Sequence, residues 1–184
     1  MQNKTSNAPL LICLHGRGGS EESLKYAIPK DFNGKIMFIR SNKPNRLFYI
    51  PRLKENDENL AKEITKAGDE LYKVIKKLKN EFGSKKVIVF GFSQGASLAL
   101  YLASKGLVDK VLSFSGSLPP SLRPVDKKYT VLKMYHGNKD TTVPFELGIE
   151  TYDSFKNAGY DVEFQTSNRS HIKPPVDLVE EYLK

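Results

Sequence analysis

The chain contains a single cysteine, Cys13. No intrachain disulfide can therefore form, and no cysteine-rich metal site can be built. Cys13 lies in the apolar run Leu10-Leu11-Ile12-Cys13-Leu14, where a small buried packing residue is expected. No apolar run approaches the roughly 20 residues that span a bilayer, so no stable membrane insertion is expected. Residues 1–7 are polar and lack the charged-then-apolar pattern of a secretion signal, which makes the cytoplasm the expected compartment. Internal repeats, low-complexity tracts and dividing linkers are absent. With 184 residues, the chain suits one well-cored domain over residues 1–184 and is too short for two.

Positive charge is in excess, with 29 Lys and Arg against 21 Asp and Glu, a net +8. Much of it falls in the helical stretch 62–86, where eight lysines face four acids. A lysine-rich solvated helix face accounts for this. A nucleic-acid binder would need arginine or aromatic clusters on one face, and none is present.

Six short runs rich in β-branched and aromatic residues read as strands, at 9–15, 35–41, 85–91, 110–116, 129–137 and 161–167. Several are apolar almost throughout, such as Val87-Ile88-Val89-Phe90, as strands covered on both faces should be. Helices are expected between them, at 21–29, 57–82, 93–105, 144–158 and 175–183. In the second of these Leu60, Ile64, Ala67, Leu71, Val74, Ile75 and Leu78 recur at three- and four-residue steps. Alternating strands and helices predict an α/β layered domain with right-handed crossovers. The one long unpatterned connection is 42–56, a candidate substrate-facing segment.

Chemistry enters at Gly91-Phe92-Ser93-Gln94-Gly95, directly after a strand and before a helix. A serine hydroxyl is a poor nucleophile unless it is exposed and held beside a base. A sharp strand-to-helix turn lifts the oxygen clear of the sheet, and it crowds the positions two before and two after, where glycine is required. The plain alternative is a turn with a helix-capping serine. Of the three histidines, His15 and His136 end strands, where a side chain pins a loop. His171 follows the last strand in Asn168-Arg169-Ser170-His171. With the chain order serine, acid, histidine, only His171 qualifies as base. The acid that orients it should lie at the C-terminal edge of the sheet. Asp140 does, whereas Asp126 and Asp161 precede strands, Asp153 reads as helix surface and Asp177 follows the histidine. The oxyanion donors expected are the backbone N–H of Gln94 and one from the glycine-rich loop His15-Gly16-Arg17-Gly18-Gly19-Ser20. That loop lacks the Gly-Lys-Ser/Thr of a phosphate cradle.

Four segments together, His15-Gly16-Arg17-Gly18-Gly19, Gly91 to Ala96, His136 to Pro144 and Ser170-His171, resemble the phospholipase/carboxylesterase family, which includes the acyl-protein thioesterases. The resemblance runs from about Pro9 to the C-terminus. It implies a minimal α/β-hydrolase fold: about six mainly parallel strands in the order 2-1-3-4-5-6, helices on both faces, no cap domain. It also implies a cofactor-free, metal-free esterase or thioesterase acting on a small-molecule ester, with Arg17 supplying the second oxyanion amide. A carboxylic ester is expected, with a thioester or lysophospholipid as alternatives. From another class, a non-catalytic binding protein on the same scaffold would have no need of all three polar groups. Without a cap, 42–56 should alone flank Ser93, Phe48 and Tyr49 giving one apolar wall of a shallow, open groove suited to short acyl chains.

Overall fold

The computed structural model describes residues 8–41, 43–49 and 57–184. Among the described residues six strands form one sheet: β1 (Leu10–Leu14), β2 (Lys35–Ile39), β3 (Val87–Phe92), β4 (Lys110–Phe114), β5 (Val131–Gly137) and β6 (Val162–Ser167). Their order is β2-β1-β3-β4-β5-β6 and every pairing is parallel. Among the described residues the α-helices are α1 (Asp57–Phe82), α2 (Gln94–Ser104), α3 (Phe145–Asn157) and α4 (Val176–Leu183). Residues Glu21–Ala27 make a 3-10 helix where a short α-helix was expected. Pro144 and Pro175 stand just outside α3 and α4, in extended backbone.

Alternation along the buried strands explains the two layers. Leu10, Ile12, Leu14, Val87, Val89, Val111, Leu132 and Met134 point to one face, where α1, α2 and Phe155 of α3 cover them. Leu11, Cys13, Ile88, Phe90, Leu112, Phe114 and Tyr135 point to the other, beneath Leu24, Ala27, Leu178, Val179 and Tyr182. Successive side chains on a strand alternate faces, so each continuous apolar run feeds both cores at once. Cys13 is one of these packing residues, and burial pushes its thiol far above the ordinary range. The edge strands β2 and β6 are only half-buried.

Helix α2 is buried along its whole length. It lies between the sheet and α1, which explains why an apolar all-round sequence is stable there. The close approach of α1 depends on Gly68. A Cβ there would sit 2.2 Å from the Tyr101 ring, and that ring is anchored by its hydroxyl, which donates to Asp69 Oδ1 at 2.7 Å. Of the eight lysines between 62 and 86, all but the half-buried Lys79 are exposed, as a solvated helix face requires. Among the described residues no helix is long and apolar enough to cross a membrane.

Alanine at Gly68 should gain about 1 kcal/mol in helix propensity but lose about 2–3 kcal/mol to overpacking against a ring that cannot swing away. Chemical denaturation of Gly68→Ala should therefore show a net loss of roughly 1–2 kcal/mol. A more stable variant would mean that α1 and α2 are not in this contact.

Candidate active site

Because the strands are all parallel, the loops that leave their C-terminal ends share one edge of the sheet. Arg17 follows β1, Ser93 follows β3, Asp140 follows β5 and His171 follows β6. Asp126 and Asp161 precede β5 and β6, so they lie at the opposite edge.

Ser93 has φ 53° and ψ −117°, a conformation that costs a non-glycine residue energy and persists only where the surroundings impose it. The surroundings are backbone. A Cβ on Gly91 would lie 2.4 Å from the Gly95 carbonyl oxygen, and one on Gly95 would lie 2.2 Å from that of Leu14. The ends of β1 and β3 and the start of α2 thus touch with no side chain between them. Ser93 makes no side-chain capping bond to α2, which removes the plain helix-capping reading of that serine. The first hydrogen bond of the helix runs from the Ser97 N–H to the Ser93 carbonyl. The amides of Gln94, Gly95 and Ala96 therefore have no intrahelical acceptor, as at every helix N-terminus.

The loop after β1 is pressed onto this elbow. A Cβ at Gly16 would come within 3.3 Å of the Ser93 Cβ and 3.0 Å of the Phe92 ring. The loop turns back through a Gly19 N–H to Gly16 carbonyl bond, with Gly18 at φ +72°, a value that glycine adopts freely. His15 donates Nδ1–H to the Gly16 carbonyl at 2.7 Å and packs its ring against Phe48, 4.6 Å between centroids. Burial, the largest influence, holds its imidazole below the usual range.

Asp140 is almost completely buried and surrounded by donors. Its Oδ1 accepts the N–H groups of Thr142 at 2.9 Å and Val143 at 3.0 Å. Its Oδ2 accepts Nδ1–H of His171 at 2.7 Å. Burial works to raise its pKa, but the bonds from His171 and Val143, with the nearby imidazoles, outweigh it and hold the carboxyl below its ordinary value. Gly137 makes the pairing possible. A Cβ there would strike the Arg169 carbonyl oxygen at 2.2 Å, so only glycine lets the loop carrying His171 lie against the end of β5. The His171 ring stacks beside Phe92, 4.9 Å between centroids, next to Ser93 in the chain.

His136 pins a loop, as expected, donating Nε2–H to the Val143 carbonyl at 2.9 Å. It also comes within 3.3 Å of Asp140 Oδ2, a contact with no signal in the sequence. Its burial outweighs its hydrogen-bonding partners and lowers its pKa, which keeps it neutral.

Two expectations about the flanking segment are corrected. Asn42 and residues 50–56, with Ile50 and Arg52, lie outside the described residues. Phe48 is not an open groove wall. It is buried against His15, and an aromatic ring of that size beside the imidazole gains more from the core than from solvent. Tyr49 does line the same space as the serine, but it is buried too, its phenol pushed up to about 12 by burial. Both are held by the Gln94 side chain, which accepts the Phe48 N–H at 2.9 Å and donates to the Tyr49 carbonyl at 2.7 Å. Sequence reasoning assigned Gln94 only its backbone amide. The available signal was a long polar side chain in the first turn of an otherwise apolar, buried helix.

The second correction concerns the cavity. Ser93, Gln94 and Arg17 open onto a space of about 410 Å³ whose walls include Tyr49, Leu60, Ile64, Leu118, Pro119, Pro120, Val143, Pro144 and Leu147. Its walls come from the start of α1, from the connection between β4 and β5, and from the start of α3. Of the described residues in the segment 42–56, Tyr49 lines this space, so that segment does not flank Ser93 alone. A volume of this size, mostly apolar with a few convergent polar groups, is what small-molecule sites usually present. Among the described residues no group of three or more His, Cys, Asp or Glu is arranged to hold a metal ion.

The family description Phospholipase/Carboxylesterase matches residues 1–181. The chain belongs to that family of hydrolases. The acyl-protein thioesterase 1 of Neurospora crassa is 31% identical over 110 residues, covering 53% of this chain and 45% of that protein. The chain spans about half the length of the first such curated relatives it matches. A longer match, 27% identical over 210 residues and covering 97% of this chain and 91% of the other, is to acyl-protein thioesterase 1 homolog 1 of Dictyostelium discoideum. The Bacillus cereus carboxylesterase shares the fold, with a TM-score of 0.81 at 20% identity over 98% of this chain and 89% of that one. The minimal α/β-hydrolase architecture of the family is thus the one present here.

Acid should weaken the fold in two stages. His15 and His136 are held below the ordinary 6.5. Below about 6.5 the unfolded chain therefore binds more protons than the folded one, and stability falls as pH falls. The depressed Asp140 adds a second loss below its ordinary 3.8. Differential scanning calorimetry should show Tm level above about pH 7, declining from about 6.5 to 5 and dropping further below 4. A Tm that rises from 6.5 to 5 would contradict the neutral buried imidazoles.

Proposed function

We propose that the protein hydrolyses carboxylic esters with short acyl chains, through Ser93 as nucleophile, His171 as base and Asp140 as the acid that orients it. The observation that carries this reading is the 2.7 Å bond from His171 Nδ1 to a buried carboxylate, with the His171 ring 4.9 Å from that of Phe92, the residue before the strained Ser93. A histidine that donates Nδ1–H leaves Nε2 free to accept a proton. In the proposed sequence Nε2 takes the Ser93 hydroxyl proton as the oxygen attacks the ester carbonyl. The backbone N–H groups of Gln94 and Arg17 hold the tetrahedral oxyanion, and the alcohol leaves with the proton from His171. Water, deprotonated by the same nitrogen, attacks the acyl-serine and frees the acid and Ser93. Neither half-reaction needs a cofactor. The apolar cavity that opens at Ser93 supports an acyl group as its occupant, at about 0.8 kcal/mol per methylene buried.

Thioester cleavage is the second reading. It uses the same groups, and its support is the likeness to proteins named acyl-protein thioesterases. Parallel series of p-nitrophenyl esters and acyl thioesters separate the two.

A fluorophosphonate probe should label Ser93 alone, and Ser93→Ala should lower kcat by roughly 10⁴–10⁶. Asp140→Asn should lose roughly 10³–10⁴ while staying folded. Label found elsewhere by mass spectrometry, or an active Ser93→Ala protein, would sink the reading.

The Arg17 assignment is read by splitting side chain from backbone. Arg17→Ala keeps the amide and should alter kcat little for a small neutral ester. Arg17→Pro removes the donor and should cost roughly 10²–10³. Equal losses in two folded variants would refute the backbone role.

Across the ester series, kcat/KM should rise over the first few carbons and then flatten or fall. A steady increase out to palmitoyl esters would favour a long-chain thioesterase or lysophospholipase.

A further inference from the structure

The connection between β4 and β5 walls one side of the cavity, and it is held there by neighbours distant in sequence. Leu118 donates its N–H to Thr151 Oγ1 of α3 at 3.0 Å. Ser121 reaches Asp57, the first residue of α1, at 3.4 Å. Arg123, just past the 3-10 turn Pro120–Leu122, donates Nε–H to the Leu118 carbonyl at 3.1 Å and so folds the segment onto itself. It also donates Nη2–H to Glu150 Oε2 of α3 at 2.7 Å. The Arg123 side chain is only 17% exposed, against 53% for Glu150, and it lines the cavity.

A guanidinium is an unusual wall among Leu60, Ile64, Leu118 and Leu147. Stripping it of water is costly unless its donors stay paired, and the Leu118 carbonyl and Glu150 supply that pairing. An alkyl chain that reaches this wall cannot displace those partners without leaving a charge unpaired. Nor does the group invite an anionic chain end, because Glu150 already neutralises it and would repel a second carboxylate. We infer that Arg123, latched to α3 through Glu150, is the stop of this cavity and sets the longest acyl chain it accepts. The inference rests on the reading of this cavity as an acyl site and adds the residue pair that limits it.

The test uses a readout that needs no turnover. Calorimetric binding of straight-chain carboxylates from butyrate to laurate measures cavity length, while ester hydrolysis over the same lengths reports on Ser93. In the unsubstituted protein, affinity should climb with chain length to a limit and then fall. In Arg123→Ala and in Glu150→Ala the limit should move out by two or more carbons. The Kd of the first acid beyond the original limit should drop about tenfold, the worth of two further buried methylenes. Arg123→Ala removes the charge together with its pairing, and in Glu150→Ala the Leu118 carbonyl still accepts from Arg123 while its freed end can turn to solvent, so both variants should fold, with circular dichroism as the control. An unmoved limit in either folded variant overturns the proposal, as does affinity that climbs to laurate in the unsubstituted protein or no binding of any acid. Binding with a moved limit but no hydrolysis of any ester leaves the stop in place and removes the catalytic reading instead.

Discussion

At the centre of the molecule three stretches of backbone meet without a side chain between them: the end of β1, the end of β3 and the first turn of α2. Gly91 faces the Gly95 carbonyl and Gly95 faces that of Leu14, each at a separation that a methyl group would violate. Because nothing else fits, the chain between them can turn only one way, and Ser93 is forced to positive φ. The strain is local and modest in size, on the order of 1–3 kcal/mol for such a residue. It is held by the burial of α2, whose every residue is covered by the sheet and α1. A strained geometry at one residue is thereby tied to the packing of a whole helix.

The pairing of Asp140 with His171 depends on a second close approach of the same kind. Gly137 lets the loop after β6 run against the end of β5, and that contact carries His171 to Asp140. A buried carboxylate would ordinarily be driven toward its neutral form. Here Thr142, Val143 and His171 all donate to it, so the charge survives burial and can hold an imidazole in one tautomer. His136 fills the remaining side as a neutral ring, tying the loop at Val143 and leaving the carboxylate shut off from solvent.

Among the described residues no cap covers the serine, yet it opens onto a cavity and not a flat surface. Helix starts and a proline-containing connection, all at the C-terminal edge of the sheet, close around it. They are joined by a few cross-links, of which Leu118 to Thr151, Arg123 to Glu150 and Gln94 to the backbone of residues 48 and 49 are the most direct. An α/β domain of this kind can therefore shape a pocket from its own crossover segments, and the shape of that pocket becomes a property of the segments' attachments as much as of their composition.

Periodicity and punctuation in the chain determined the layers. Continuous apolar runs specified strands covered on both faces, the three- and four-residue steps from Leu60 to Leu78 marked α1, and the order β2-β1-β3-β4-β5-β6 came with the family resemblance. The positions of Ser93, Asp140 and His171 were legible for the same reason, since residues just past parallel strands must gather at one edge. Contacts between segments remote in sequence were not legible, because no local pattern encodes them. That Phe48 turns inward onto His15, that the Gln94 amide clamps a loop, that His136 touches Asp140, and that α1, α3 and the β4–β5 connection enclose a cavity were all decided by tertiary packing. The physical difference is one of range: secondary structure follows from backbone sterics and the period of burial over a few residues, whereas a pocket is the space left when several such elements have each satisfied their own packing.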